Sequence, residues 1–110
     1  MIDVKTFFAT YKDCYVTLNH YHADKSLCVD LWNDEDGPIA RMTVCLNDST
    51  LKENQAYIDT NDFPEALDII EQYKLGEFCG MKGSGYCTYP LVTFDMDALN
   101  VHTRKEVQHV

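Results

Sequence analysis

Five segments of the chain alternate hydrophobic and polar residues with the period of two that a half-buried β-strand requires. They are residues 15–20, 27–32, 39–46, 55–59 and 89–94. Between the second and third segments the chain reads NDEDGP, and its Asn, Asp, Gly and Pro residues favour a tight turn. The pattern therefore predicts a β-hairpin whose two strands flank this turn.

One segment instead has the helical spacing of three and four residues. Its hydrophobic positions are Phe63, Ala66, Leu67, Ile70 and Tyr73. Asn61 or Asp62 is placed to cap the helix, and Glu65 stands in a capping-box relation to Asp62. Gly76 is a residue type that closes many helices, so we predict one amphipathic helix that ends at about Leu75.

The other segments have no clear period. Residues 1–12 are hydrophobic in patches, and we expect a short helix or an extended arm over the core. Residues 80–85, GMKGSG, are predicted to be a flexible loop, and the polar residues 100–110 are a candidate for fraying. Pro90 cannot donate a hydrogen bond within a sheet, which predicts either an edge strand or the first position of its strand.

These elements predict one domain, because 110 residues have room for a single core and no linker or repeat divides them. The simplest way to bury all the hydrophobic faces together is to lay the helix on a sheet. The predicted fold class is therefore α+β over residues 1–110. We expect a small antiparallel sheet, a meander of about five strands, covered on one face by a single amphipathic helix.

The chain is strongly acidic, with 18 Asp plus Glu against 9 Lys plus Arg and a formal net charge of -9 at pH 7. A surface of this sign repels phosphate backbones, so direct nucleic-acid binding is disfavoured. The same potential suits a basic partner protein, including one whose own groove holds nucleic acid. A simpler interpretation is that the charge only keeps a small protein in solution.

The cysteine pattern is typical of a reducing compartment, because the number is odd and no CxxC pair occurs. The cysteines are Cys14, Cys28, Cys45, Cys79 and Cys87. The N-terminus lacks the basic and long apolar segments of a secretion signal, and no apolar run is long enough to span a bilayer. We expect a cytoplasmic protein that does not insert into a membrane.

Two features bear on metal or cofactor chemistry. In an extended strand His20 and His22 point the same way, as two zinc ligands do, but no third ligand follows from the spacing and a solvated turn is commoner. The glycines of residues 80–85, with Lys82, can approach a phosphate, yet a helix precedes them and a strand follows, which is the reverse of a P-loop. Since no nucleophile elbow or catalytic cysteine signature is present either, we predict no enzymatic activity, metal or cofactor.

Aromatic residues on an acidic surface are a common composition of protein interfaces. Trp32 is the large aromatic residue outside the predicted core face, and its alternative role is packing beneath the N-terminal arm. The predicted partner-binding residues form two groups, one in the hairpin and one in the glycine-rich segment. They are Asp30, Trp32, Asp34, Glu35 and Asp36, and then Lys82, Ser84 and Tyr86.

Several segments resemble a family of small proteins of unknown function that are carried by phages and conjugative elements of gut bacteria. The similar segments are ARMTVCLND (residues 40–48), LKENQAYI (51–58) and SGYCTYPLVTF (84–94), within residues 27–94 overall. The most specific pattern consists of Ser84, Gly85, Tyr86, Tyr89, Pro90 and Leu91. Small acidic proteins of such mobile elements are often anti-defence factors, which block a host nuclease by binding it.

The resemblance implies our leading hypothesis, a non-enzymatic acidic binding protein of a mobile genetic element that inhibits a bacterial immune protein such as a CRISPR effector nuclease. Its partner is then a basic host protein. The alternative is a module that binds or sequesters a small ligand or nucleotide through residues 80–85. The oligomeric state stays open at this point, with a homodimer as one option.

Overall fold

The computed structural model describes residues 2–103, which form two antiparallel β-sheets of four strands each. The first sheet has the order β1-β2-β3-β4, with β1 (Ile2–Lys5), β2 (Thr10–His20), β3 (Leu27–Asn33) and β4 (Gly37–Arg41). The second has the order β5-β6-β8-β7, with β5 (Thr43–Val44), β6 (Gln55–Ile58), β7 (Gly76–Ser84) and β8 (Cys87–Phe94). The described helices are α1 (Ala66–Gln72) and α2 (Met96–Val101).

The predicted fold class, one sheet covered by one helix, is wrong. Strands occur at all five predicted positions, but β1 and β7 were not predicted, and the strands divide between two sheets. The helices are short, with seven residues in α1 and six in α2. Hydrophobic alternation locates a strand and its buried face, whereas the division into sheets depends on which distant segments pair.

The two sheets are joined through one stretch of chain, residues 37–44, in which only Met42 separates β4 from β5. β4 pairs with β3, and β5 pairs with β6. The Met42 N–H donates to the carbonyl of Val29 at 2.9 Å, and its carbonyl accepts from the N–H of Asp59 at 2.9 Å. Met42 is therefore hydrogen-bonded to β3 of the first sheet and to Asp59, the residue that follows β6 of the second sheet, and it is fully buried.

A single hydrophobic core draws on both sheets and both helices. Its fully buried members include Val16, Leu31, Ile58, Val92, Phe94 and Leu99. Alternate residues of β3 and β8 point into this core, as the sequence pattern predicts. Since burial stabilises by about 25 cal/mol per Å² of apolar surface, this core is the main favourable contribution to folding.

Helix α1 begins later than predicted, because residues 61–65 form turns rather than the first helical turn. The Asp62 N–H donates to Asp59 Oδ1 at 3.2 Å, so Asp62 belongs to a turn closed by Asp59. Glu65 occupies the N-cap position without a side-chain capping bond. The predicted capping by Asn61 or Asp62 is therefore wrong.

The end of α1 also differs from the prediction. Lys74, not Gly76, has the left-handed conformation, with φ of 53°. Gly76 is instead the first residue of β7 and pairs with Phe94. A side chain at Gly76 would meet the backbone of β8, since a Cβ atom there lies 2.6 Å from the carbonyl oxygen of Thr93. Close packing against β8, rather than helix termination, is the reason for a glycine at this position.

The predicted loop at residues 80–85 is wrong, because most of this segment is strand. Residues 80–84 belong to β7, and Ser84 pairs with Cys87, which leaves Gly85 and Tyr86 as a two-residue hairpin turn. Gly85 has φ of 63°, as the first central position of a type II′ turn requires. A Gly-X pair between two strands is the sequence signal for this turn.

Pro90 is neither on an edge strand nor at the start of its strand, so that prediction is also wrong. It is the fourth residue of β8, which lies between β6 and β7. However, β6 pairs with β8 only from Leu91 to Thr93, and Pro90 lies beyond that pairing. At Pro90, β8 is paired with β7 on one side only. Its other side is therefore a local sheet edge, where the missing N–H of a proline is tolerated.

The ends of the chain differ from expectation as well. Of the two alternatives for the N-terminal segment, the short helix is wrong: the segment is extended, and it is a strand of the first sheet, since β1 pairs with β2 and buries Ile2 and Val4. Near the other end, Asp95 caps α2 by accepting from the N–H groups of Asp97 and Ala98 at 3.0 and 3.2 Å. The predicted fraying tail therefore overlaps α2, and its residues 104–110 lie outside the described residues.

Candidate partner-binding surfaces

The acidic tip, residues 34–36, is the turn that joins β3 to β4. Asn33 pairs with Gly37 across the hairpin, so Asp34, Glu35 and Asp36 form a three-residue loop. All three residues are exposed. Gly37 has φ of 76°, the conformation that closes a three-residue hairpin loop. The predicted hairpin is confirmed, and it presents three consecutive carboxylates at its end.

The buried side chain of Asn33 holds the conformation of the acidic tip. Its Oδ1 accepts from the Asp36 N–H at 2.6 Å, and its Nδ2 donates to Asp36 Oδ2 at 3.1 Å. Asn33 is 5% exposed, so these bonds are protected from water on one side. The tip is therefore pre-organised, and a partner would not have to order it on binding.

Asp30 lies on the outer face of the first sheet and is already paired. Arg41 donates to both carboxylate oxygens of Asp30, from Nε at 2.7 Å and from the terminal guanidinium nitrogen at 3.2 Å. These bonds raise the pKa of Arg41 above its ordinary value. The guanidinium also lies 5.9 Å from the ring centroid of Tyr21. A partner at Asp30 would therefore meet a neutralised pair.

Trp32 lies on the same outer face, opposite Tyr15 of β2 and Pro38 of β4. The residue is half-buried, and in the sequence only Asn33 separates it from the acidic tip. Its indole N–H is fully buried, and no acceptor for it occurs among residues 2–103. The N-terminal segment pairs with β2 in the sheet. Trp32 is thus flanked by its cross-strand neighbours Tyr15 and Pro38 and stays partly accessible to solvent.

The second predicted group belongs to the other sheet, on the β7–β8 hairpin. Tyr86 is fully exposed at the hairpin turn, next to the exposed Ser84. Lys82 Nζ lies 3.5 Å from Asp48 Oδ2 and 5.7 Å from the ring centroid of Tyr57. The fold therefore places the two predicted groups on hairpins of different sheets and does not combine them in one hairpin.

Sequence reasoning missed a polar network around Asp24, which is only 4% exposed. Asp24 Oδ1 accepts from the Ser26 N–H at 2.9 Å and from Ser26 Oγ at 2.6 Å, and its Oδ2 accepts from the Asp48 N–H at 2.9 Å. Burial by itself raises the pKa of Asp24, but the bonds from Ser26 and Asp48 outweigh it, so the net shift is downward. The partners lie up to 24 residues apart in the sequence, so no local pattern predicts the network.

Asp48 extends this network towards the second sheet. It accepts from Thr50 Oγ1 at 2.6 Å and from the Tyr57 hydroxyl at 2.6 Å, and these bonds hold the pKa of Asp48 well below its ordinary value. Burial, followed by the bond to Asp48, raises the pKa of Tyr57 to about 12. At neutral pH Asp48 is therefore ionised and accepts these bonds, while Tyr57 stays protonated and donates one of them.

A second acidic region, residues 53–73, contains no Lys, Arg or His. Its carboxylates are Glu53, Asp59, Asp62, Glu65, Asp68 and Glu71. Most of them are exposed, although burial raises the pKa of the half-buried Asp59. The absence of basic residues over this stretch can be read from the sequence, but none of the predicted partner-binding residues lies in it.

Exposed hydrophobic side chains occur at the β1–β2 turn and on β7. Phe7 and Phe8, at the β1–β2 turn, are almost fully exposed and pack edge to face with ring centroids 5.3 Å apart. Phe78 and Met81 of β7 are 60% and 57% exposed.

Phe78 also lines an open groove of about 800 Å³ between α1 and the β7–β8 hairpin. The charged residues that line this groove are Glu71, Lys74, Glu77 and Asp95.

Within residues 2–103 the structure assembles no cluster of three or more His, Cys, Asp or Glu side chains that could hold a metal ion. His20 Nε2 lies 3.0 Å from the carbonyl of Glu53. All five cysteines are unpaired. Neither described helix has the length or apolar character needed to cross a bilayer.

The fold defines a small protein of two antiparallel sheets that share one core and carry acidic and aromatic hairpin turns at the surface. The chain belongs to a family described as a domain of unknown function, DUF4313, whose model matches residues 15–110. Neither the curated proteins nor the solved structures contain a match to the chain. The β1–β2 turn with Phe7 and Phe8 lies before the matched region.

Proposed function

We propose that this protein acts without catalysis, by binding a basic partner protein through the acidic tip. The observation that carries the proposal is the row of three exposed carboxylates on a turn fixed by Asn33. A rigid anionic loop loses little conformational entropy on binding and can enter a basic groove. The formal net charge of -9 adds long-range attraction for the same kind of partner.

Asp24, Asp30 and Asp48 suit this role less well. Asp30 is paired with Arg41, and Asp24 is buried. Asp48 is held by Thr50, Tyr57 and Lys82. Trp32 contributes a partly exposed ring on the strand that leads into the tip, and an aromatic residue beside charge is a frequent interface composition.

The partner class follows from charge. A protein groove that normally holds a nucleic acid is lined with Lys and Arg, and a fixed row of carboxylates can compete for it. The resemblance to proteins of phages and conjugative elements favours an anti-defence role, with a CRISPR effector nuclease as the target. Five unpaired cysteines are compatible with action in the reducing cytoplasm of a bacterial cell.

The structure does not support the alternative, a nucleotide or small-ligand module at residues 80–85. It required a flexible loop whose N–H groups surround a phosphate, and residues 80–84 are instead strand residues paired with β8.

The test uses the double variant Asp34→Lys/Glu35→Lys, which keeps the bonds between Asn33 and Asp36. Purified CRISPR effector nucleases are mixed with the wild-type protein at low and moderate salt, and complex formation and target cleavage are measured. We expect wild type to form a complex and inhibit cleavage, and the variant to bind at least about tenfold more weakly, a loss of about 1.4 kcal/mol.

The matched control is Glu53→Lys/Glu71→Lys, which changes the net charge equally at exposed positions away from the tip. It should keep most of the affinity. Equal losses in both variants would mean that overall charge, and not the tip, determines binding. Absence of a complex and of any loss of cleavage across the nucleases would overturn the proposal.

A further inference from the structure

β7 is the outermost strand of the second sheet, since the strand order is β5-β6-β8-β7. Within residues 2–103, its side opposite β8 has no strand partner. β7 is nine residues long. A long exposed edge presents a row of backbone N–H and C=O groups that can pair with another strand.

The segment from Glu77 to Lys82 of β7 is self-complementary about its centre. The central residues Cys79 and Gly80 are flanked by Phe78 on one side and Met81 on the other, and then by Glu77 and Lys82. Read from the two ends inwards, an acidic residue corresponds to a basic one and a hydrophobic residue to a hydrophobic one. An antiparallel pairing of this strand with itself therefore matches unlike charges and hydrophobic side chains.

A β-bulge gives these side chains the correct faces for such a pairing. Phe78 pairs with Val92 and Gly80 with Leu91, so Cys79 is the extra residue in β7. Because of this extra residue, Phe78 and Met81 lie on the face of Val92 and Pro90, while Glu77 and Lys82 lie on the face of Thr93 and Tyr89. In a regular strand, residues three or five positions apart would lie on opposite faces.

Phe78 and Met81 are more than half exposed, although the residues they pair with in β8, Val92 and Pro90, are buried. The core therefore does not extend under the outer edge of the sheet. Two large hydrophobic side chains on one face of a strand edge are unusual for an isolated surface, and a second strand with the same pattern would cover both.

We propose that the protein forms a homodimer in which β7 pairs antiparallel with β7 of a second copy, about a two-fold axis at the Cys79–Gly80 bulge. Phe78 then packs against the second copy's Met81, and Glu77 lies opposite the second copy's Lys82. Each contact occurs twice, as two-fold symmetry requires. The second sheets of the two copies, with four strands each, then form one continuous sheet of eight strands. This dimer is independent of the acidic tip and goes beyond the binding function proposed above.

Lys82 can serve this pairing while it stays near Asp48. The distance of 3.5 Å between Lys82 Nζ and Asp48 Oδ2 describes a loose and partly exposed ion pair. An ammonium group has three donors, so a second carboxylate can share it. One pair of edge strands generally buries less surface than a standard protein interface, so the dimer should depend on concentration.

A charge exchange tests the pairing. Sedimentation velocity of the full chain, over a range of concentrations, should show a monomer–dimer equilibrium. Glu77→Lys places two positive charges opposite each other, and Lys82→Glu two negative ones, so each should raise the dimer dissociation constant at least about tenfold. The double variant Glu77→Lys/Lys82→Glu restores opposite charges across the axis and should restore the wild-type constant.

Controls with the same charge changes are Glu53→Lys and Lys52→Glu, which lie at exposed positions outside the strands. They should leave the dissociation constant near the wild-type value. A monomer at every concentration would overturn the proposal, and so would a double variant that behaves like the single ones. In the single variants Glu77→Lys and Lys82→Glu, loss of the dimer with intact nuclease inhibition is the expected result, because the acidic tip belongs to the other sheet. Loss of inhibition with an intact dimer would count only against the function proposed for the tip.

Cross-linking provides a second readout. Cys79 is exposed and lies beside the proposed axis, so a short bismaleimide should link the Cys79 side chains of two copies. The cross-linked dimer should disappear in Cys79→Ser and persist in Cys87→Ser. Linkage that persists in Cys79→Ser would place the contact elsewhere and would contradict the β7 pairing.

Discussion

Asp24 shows how one buried charge can stabilise this fold. Its two carboxylate oxygens accept three hydrogen bonds, two from Ser26 and one from the backbone of Asp48. A carboxylate removed from water is costly unless such bonds replace its hydration. The bond to Asp48 also ties the turn after β2 to the loop after β5. Asp24 is therefore a structural residue, and a role in direct binding is unnecessary to explain it.

Replacing Asp24 by Asn should destabilise the protein by about 1 to 3 kcal/mol near neutral pH, because an amide puts a donor where an oxygen now accepts. The pKa of Asp24 is lowered in the folded state, so its stabilisation is present above the unfolded-state pKa of about 3.9 and is lost as pH falls through the folded value. Urea unfolding at about pH 7 and about pH 3 should show a smaller loss on acidification for Asp24→Asn than for wild type.

The control variant is Ser26→Ala, which removes one hydroxyl donor and keeps the carboxylate. It should lose about 1 kcal/mol and retain most of the acid sensitivity. An Asp24→Asn protein with the same acid sensitivity as wild type would show that other groups dominate the pH response.

At the scale of elements, the β7–β8 hairpin and helix α1 meet at Gly76, where the chain leaves Lys74 and Leu75 and enters the second sheet. A Cβ atom at this position would lie 2.6 Å from the Thr93 carbonyl oxygen and 2.8 Å from Val92 Cγ1. Backbone atoms cannot yield as the end of a flexible side chain can. The junction between helix and sheet therefore requires a residue without a side chain.

Gly76→Ala should lower the free energy of unfolding by about 2 kcal/mol or more, through overpacking against β8. Gly83→Ala in the same strand is the matched control, because a Cβ atom there has no neighbour within 4 Å. Chemical denaturation followed by circular dichroism measures both. Equal effects of the two substitutions would contradict the proposed role of close packing at Gly76.

Local patterns predicted some elements and missed others for physical reasons. β3 alternates and ends in a turn-forming run, so its hairpin and the exposed acidic tip follow from neighbouring residues. β7 reads GEFCGMKGS, without alternation, and forms only because β8 pairs with it. The same limit applies to the site, since the neutralisation of Asp30 depends on its register with Arg41, eleven residues away.

At the scale of the whole molecule, like charges must repel each other, because acidic residues outnumber basic ones two to one. The region without basic residues, 53–73, includes α1 and concentrates part of this repulsion. Exposed ion pairs such as Asp30–Arg41 offset little of it, since such pairs contribute at most about 1 kcal/mol. Repulsion between negative charges therefore lowers the stability of the folded state at low ionic strength.

Raising NaCl from about 20 mM to about 300 mM should increase the melting temperature by several degrees, because the Debye length falls below the spacing of many surface charges. Differential scanning calorimetry checks this. The variant Glu53→Gln/Glu71→Gln, with two fewer negative charges, should start from a higher melting temperature and respond less to salt. A melting temperature that falls with salt would show that native ion pairs outweigh the repulsion.

Because one hydrophobic core draws on both sheets and Met42 is buried in it, each half of the chain would expose its side of that core without the other half. Fragments that end or begin at this residue should remain unstructured separately and regain order only when mixed. Thermal melting of the intact chain should accordingly be a single all-or-none transition, with calorimetric and van't Hoff enthalpies in agreement.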